Sequence, residues 1–422
     1  CQNQANKYCS ACKLVQFCSG ECQKSHWCSH KEVCRSNLLK YIYIPSCVRE
    51  GRVPTSTGDS DTLQSDFGVR QYLWGNMPAL DILNLEKNEG MNDMNRDFDL
   101  LFAASGDIRN VVETIVSLPG EYRGKCTAII NDNNFTIIAR NIILLLTALF
   151  LEPQEAVPMM IHFWYSVALP KVMVETLRQR VFHHIHDVCK KITKKPGESL
   201  QAKTFSFGGR WLRLILTRTQ WEDLREFSSC RVDLDTAQRV RRGIMLAPER
   251  VDYLDRALYN MPARMRGSTL KFREDGILLP FGASREEFSI PDPTFFQNPK
   301  VWPMKDDSNP LEGWDPAEHT KFTPHAKNDL YGSFFFYLRD VLLHFCQSLE
   351  NMNIEFRLLN LDAKWLPMYF DKMLFDRIEI SNICDRGCVG PHRCLSIFSS
   401  LLKPKEHNPK ATMLMLFLNA VE

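Results

Sequence analysis

No stretch of this sequence is apolar for long enough to cross a bilayer as a helix. The longest apolar run, Ile142 to Leu151, is about half of the roughly 20 residues a span needs, and Glu152, Pro153, Glu155 and Pro158 interrupt the chain directly after it. It reads instead as a buried helix. Charge of one sign is not in excess either. A net charge of +2 provides no basic field strong enough to suggest nucleic acid by itself. Internal repeats are missing, which removes solenoid and propeller architectures. Cysteine is sparse over most of the chain: eight of the fifteen fall in the first forty-seven residues, and seven are scattered through the remainder. A disulfide scaffold would pair cysteines throughout a short secreted chain. A dense cluster beside a large cysteine-poor body reads as a metal module in a reducing compartment, the cytoplasm or nucleus.

What is present is ample core material. The 422 residues are 44% hydrophobic and 24% charged, enough for two or three domains. The opening contains Cys9-Ser-Ala-Cys12, Cys18-Ser-Gly-Glu-Cys22 and His30-Lys-Glu-Val-Cys34, preceded by an unpaired Cys1. Structural zinc takes four thiolate or imidazole donors, delivered in pairs two to four residues apart. Three pairs and an orphan leave one of two sites short by one donor. His26 also lies in this segment, but it has less fitting spacing to Cys34 than His30.

The pattern resembles the MYND finger. Phe17-Cys18-Ser-Gly-Glu-Cys22-Gln23 and Trp27-Cys-Ser-His30-Lys-Glu-Val-Cys34 match its second half, and Cys1 falls on the second cysteine of its opening pair, so that a partner is expected upstream of residue 1. The resemblance implies two zinc ions in the full-length protein. One is held by Cys1, Cys18, Cys22 and the upstream cysteine, the other by Cys9, Cys12, His30 and Cys34. It also implies a structural module over residues 1–45 that docks proline-containing peptides of partner proteins.

Residues 46–70 are polar and read as a linker or long surface loop. Short apolar runs at 98–104 and 126–130 read as buried strands, each followed by an apolar helical pattern, so that residues 71–152 form strand–helix–strand–helix with parallel strands. Runs at 354–359, 375–380 and 411–418 supply three more strands within 351–422. Residues 153–350 read as a mainly helical insertion. Within it, 174–188 and 221–242 are amphipathic or charged helices, Glu274-Asp275-Gly276 marks a hairpin, and 291–324 is a proline-rich loop. The fold class is therefore α/β, a parallel sheet behind a small finger.

This order resembles the Rossmann-like fold of S-adenosylmethionine methyltransferases. Trp74-Gly75-Asn-Met-Pro78-Ala-Leu-Asp81, Ser105-Gly106-Asp107-Ile-Arg109-Asn, Tyr331-Gly332 through Asp340 and Phe375-Asp-Arg-Ile-Glu-Ile-Ser381-Asn382 more closely resemble a domain of unknown function. That domain occurs in fungal MYND proteins and is related to the amino-terminal part of dynein axonemal assembly factor three. The methyltransferase likeness implies a cofactor pocket at Ser105 and Gly106, with Asp132 on the ribose and Asp362 toward the adenine. A working pocket needs several glycines after the first strand, and this turn has one. Helix capping, by Ser105 and Asp107 on one helix and by Asp132 and Asn134 on the next, is the competing reading. The expectation is an adaptor or assembly factor, with a methyltransferase as the alternative.

Three other groups stand out. Cys384, Cys388, His392 and Cys394 have the donor types of a third zinc site, but His-x-Cys is too tight for ordinary geometry. His183, His184 and His186 read as exposed or interfacial, and the arginines from 239 to 266 as a solvated helical face.

Overall fold

The computed structural model describes residue 5 and residues 7–55, 67–208, 210–323, 325–370 and 373–418. The chain divides into two compact units. One comprises Cys1–Tyr72, Ile161–Met173 and Cys230–Asp340; the other comprises Leu73–Met160, Val174–Ser229 and Val341–Glu422.

The first unit begins with the finger. Strands β1 (Lys7–Tyr8) and β2 (Gln16–Phe17) pair antiparallel and lead into helices α1 (Gly20–Ser25) and α2 (Trp27–Cys34). Ser19 starts α1 by accepting the Cys22 N–H. The finger's apolar cluster is small: Cys9, Cys12, Leu14, Val15, Phe17 and Leu39, with Phe281 packed against it. Gly267 permits the approach of Leu14 and Leu39, since a Cβ there would lie 3.1 Å from both side chains. The Asn328 amide donates to the Cys12 carbonyl at 2.7 Å, and Lys13 O accepts the Asn328 N–H at 3.1 Å.

Residues 46–55, expected to begin a linker, are docked instead. Ser46–Glu50 forms a helical turn. Its Ser46 N–H and the Tyr43 hydroxyl both donate to the buried Asp255 carboxylate, each at 2.5 Å. Arg52 makes a two-pronged ion pair with Asp252 at 2.6 and 2.9 Å, and Thr55 donates to the same carboxylate. Both acids lie on the helix Val251–Asn260. Residues 56–66 of the expected linker lie outside the described residues.

Two local expectations are corrected. Arg266–Asp275 is a helix, not one arm of a hairpin, and Gly276 ends it at φ 68° with its N–H on the Phe272 carbonyl. Asp-Gly signals a hairpin turn, but glycine in the left-handed region is also the commonest way to stop a helix. The charged stretch 221–242 is two helices, Arg218–Glu226 and Leu234–Met245. The second is started by Asp233, which accepts the Thr236 N–H.

The second unit is built on a seven-stranded sheet. Its strands in chain order are β3 (Phe98–Phe102), β4 (Lys125–Asn131), β5 (Leu200–Phe207), β6 (Arg210–Thr217), β7 (Asn353–Leu359), β8 (Arg377–Glu379) and β9 (Thr412–Leu414). Across the sheet they stand in the order β9-β8-β3-β4-β7-β6-β5. Every neighbouring pair is parallel except β5 and β6. All five strands expected from apolar runs are present, although the first and the last two are shorter than expected.

The hairpin β5–β6 lies in the stretch read as mainly helical and joins the same sheet. Of the β5 side chains only Phe205 is buried, so the strand carries no apolar run to announce it. Helix α3 (Arg109–Val116) follows β3, and α4 (Phe135–Phe150) follows β4 and packs across β6 and β7. Helix α4 is buried on nearly every face, as expected for a helix apolar all round. On the opposite face of β4, β6 and β7, Lys125, Trp211, Arg213, Glu355 and Arg357 are exposed or half-buried.

Candidate metal centre

Chain geometry brings four of the expected donors together. Cys9 leaves β1 and Cys12 closes the turn beyond it, with the Lys13 N–H on the Cys9 carbonyl and Lys13 itself at φ 54°. His30 and Cys34 lie four residues apart on α2, which places both on one helix face. The donor atoms of Cys9, Cys12, His30 and Cys34 all lie within 4.8 Å of one another. Cys9 Sγ is 3.7 Å from Cys34 Sγ, and Cys12 Sγ is 3.4 Å from His30 Nε2. A tetrahedron with zinc–sulfur bonds of about 2.3 Å and a zinc–nitrogen bond of about 2.0 Å has edges of about 3.8 and 3.5 Å. The spacing fits zinc.

The electrostatics fit as well. Burial, with the Cys9 and Cys34 sulfurs adding to it, pushes the Cys12 thiol up to about 12. Burial also raises Cys34. Cys9 is raised by burial too, but the N–H groups of Cys12 and Ala11 outweigh this and leave it below the ordinary thiol range. Crowded buried sulfurs resist ionising together unless a cation compensates them. Burial lowers the His30 pKa and favours the neutral imidazole that a metal needs. The ring is held by edge contacts to Phe17 and Trp27, with centroids 6.1 and 6.0 Å away.

His26 does not compete for this site. Its Nδ1 faces the Cys22 carbonyl at 2.9 Å and the Cys22 sulfur at 3.9 Å. Cys18 precedes α1 and Cys22 lies within it. Cys1, their expected companion, lies outside the described residues.

The expected cofactor residues are engaged with the protein itself. Gly106 adopts φ 56°, its N–H donates to Asp132 Oδ2 at 3.0 Å, and its carbonyl accepts from Asn141 Nδ2 at 2.8 Å. Asp132 is buried and also accepts the Asn134 N–H at 2.8 Å. Burial raises its pKa against those two N–H groups. The Ser105 hydroxyl donates to the Gly106 carbonyl at 3.0 Å. Asp362 caps a short helical turn and pairs with Lys364 Nζ at 2.7 Å, which lowers its pKa. The Gly106 turn is thus tied to Asp132 and to Asn141 on α4.

Sequence reasoning missed Glu379. It is fully buried beside this turn, with Oε1 on the Ser381 N–H at 2.6 Å and Oε2 without a partner among the described residues. Burial pushes its carboxyl up to about 7, against the Arg109 guanidinium. An acid inside the apolar run Ile378-Glu379-Ile380 was the available signal.

The suspected third zinc site does not assemble. Cys384 and Cys394 are buried in an apolar cluster with Phe398, while Cys388 and His392 are exposed. Among the described residues, Cys9, Cys12, His30 and Cys34 form the one group with metal-site geometry. His183 has a carboxylate at Asp187, 3.9 Å away, which the sequence reading overlooked, and His184 stacks on Phe150.

Residues 1–34 match the family model of the MYND finger, and residues 73–169 match that of a domain of unknown function, DUF4470. MYND fingers generally mediate protein–protein interactions. No solved structure matches the chain.

Proposed function

We propose that this chain is a zinc-dependent adaptor or assembly factor whose finger docks a partner protein while the second unit supplies a second interface. The carrying observation is the closed donor set of Cys9, Cys12, His30 and Cys34. Four protein donors leave zinc no position for water or substrate, so the metal organises structure rather than chemistry. A second ion on Cys1, Cys18, Cys22 and one further cysteine completes the reading, and a thiolate finger of this kind belongs in the reducing cytoplasm or nucleus.

For the docked ligand we favour a proline-containing peptide. Tyr8 and Trp27 are each 37% exposed on the finger, and exposed aromatic side chains are what extended proline-rich segments pack against. We read the second unit as Rossmann-like. Its strands β3, β4, β7, β8 and β9, counted one to five along the chain, stand in the spatial order 3-2-1-4-5, with the hairpin appended beyond the third. A methyltransferase has less to support it, because the carboxylate of Asp132 is given to Gly106 and Asn134.

The test is binding of immobilised proline-containing peptides by the zinc-loaded chain. Binding should vanish on chelation, and Tyr8→Ala should weaken it while zinc content stays constant. Peptide binding that survives complete zinc removal would sink the docking role. Calorimetric titration with S-adenosylmethionine should give no heat at millimolar ligand; micromolar affinity would reinstate the enzyme.

A further inference from the structure

Parallel sheets ordinarily have both faces covered. On the face opposite α4, strands β4, β6 and β7 instead floor a groove of about 870 Å³, with Tyr369 and Phe370 contributing to its wall. A face left open by accident would be apolar or evenly mixed in charge. This one is neither.

Arg213 on β6 and Arg357 on β7 stand directly opposite each other in the register, and Trp211 stands opposite Glu355. Like charges on directly opposed residues destabilise a strand pair. Among the described lining residues, Lys125, Arg213 and Arg357 face a single carboxylate, Glu355. That carboxylate is already taken by Lys125 Nζ at 2.5 Å and Arg357 Nε at 2.8 Å. Arg357 Nη1 is turned to the Met373 sulfur at 3.8 Å, and Arg213 meets the Thr204 hydroxyl at 3.3 Å. Among the described lining residues the groove therefore holds more cationic than anionic side chains.

Beside the cations lie flat apolar surfaces. Trp211 is 46% exposed and Tyr369 is 39% exposed. Trp211 and Arg213 point to the same face two positions apart, a separation of about 6–7 Å. We propose that this groove binds a phosphorylated nucleoside, its base stacked on Trp211 and its phosphate held between Arg213 and Arg357. Guanidinium pairs bind phosphate oxygens through two parallel hydrogen bonds, and aromatic rings accept any base through its π-face. The site lies on the sheet face, among residues other than the turn at Gly106, and does not depend on the adaptor role of the finger.

The experiment is calorimetric titration of the full, zinc-loaded chain with ADP, adenosine, inorganic pyrophosphate and a short single-stranded oligonucleotide. ADP should bind more tightly than either of its parts. Arg213→Gln should weaken ADP and pyrophosphate at least about tenfold and leave adenosine unchanged. Trp211→Ala should weaken ADP and adenosine but spare pyrophosphate. Both side chains are exposed, and unchanged melting temperatures would confirm that the variants fold. Binding of ADP at least as tight as the oligonucleotide assigns the phosphate to a free nucleotide. Tighter oligonucleotide binding with the same dependence on Arg213 assigns it to a strand. Silence toward all four ligands, or ADP binding indifferent to Arg213→Gln, overturns the site. Either of these last results would leave the adaptor reading untouched.

Discussion

Replacing Asp255 with alanine should free the chain just beyond the finger without melting the finger itself. The carboxylate accepts two hydrogen bonds, from the Tyr43 hydroxyl and the Ser46 N–H, each 2.5 Å long. Asp255 is 5% exposed and Ser46 is 6% exposed, so water cannot substitute for either partner in the folded state. A hydrogen bond to a charged group contributes about 1.5–3 kcal/mol, and we take the lower end because Tyr43 is half-buried. The pair then contributes about 3 kcal/mol, which corresponds to a roughly 150-fold larger local opening constant. Hydrogen exchange across residues 43–51 reads this directly. Asp255→Asn retains one acceptor and should show about half the effect in free energy. The ion pair of Arg52 with Asp252 remains in both variants and should confine the opening to this segment. Exchange in Asp255→Ala that rises by less than a few-fold would refute the claim that this carboxylate holds the segment down.

Geometry dictates three further outcomes. Cys34→Ser should lower the zinc content of the full-length protein from two to one and loosen residues 7–39, because apparent zinc-binding energies on the order of 10 kcal/mol exceed anything so small a core can replace; elemental analysis showing undiminished zinc would contradict it. Glu379, with its carboxyl raised to about 7 in the fold, binds a proton on folding. Its burden on stability is absent below the unfolded value near 4.5 and complete above about 7, so Glu379→Gln should stabilise the protein at pH 8 by up to roughly 2–3 kcal/mol and do little at pH 4. Urea midpoints at the two pH values decide this, and a loss of stability at pH 8 would oppose it. Arg377 holds both oxygens of Glu89 at 2.9 Å, with each side chain 2% exposed. Glu89→Ala should cost about 3–5 kcal/mol by stranding the guanidinium, and Glu89→Leu combined with Arg377→Met considerably less; equal losses in the single and double variants would show that the pair does not act as a pair.

The finger's donors were legible as close pairs because tetrahedral coordination fixes their spacing, whereas the sharing of one site by Cys9, Cys12, His30 and Cys34 was implied only by the likeness to the MYND finger. The parallel strands were legible because strands buried on their faces require continuous apolar runs such as Phe98–Phe102. The hairpin β5–β6 escaped because Gln201, Lys203 and Thr204 on β5 present the composition of a surface, and the distant parallel partner of β6, the strand β7, cannot be seen locally. The docking of residues 46–55 escaped for the same reason, since Asp252 and Asp255 are some two hundred positions distant. At Asp132 the residue type suggested a ribose ligand, but sequence does not say where a carboxylate points, and here it points at Gly106.

The contact of Phe281 and Asn328 with the cysteine turn has a practical consequence for anyone dissecting this protein. A fragment ending near residue 45 would expose Leu14 and Leu39 and strip the Cys12 carbonyl of its amide donor. Such a fragment is expected to hold metal less firmly and to present sticky surface that the whole chain conceals. Partner screens run on it would sample a wound rather than a docking site.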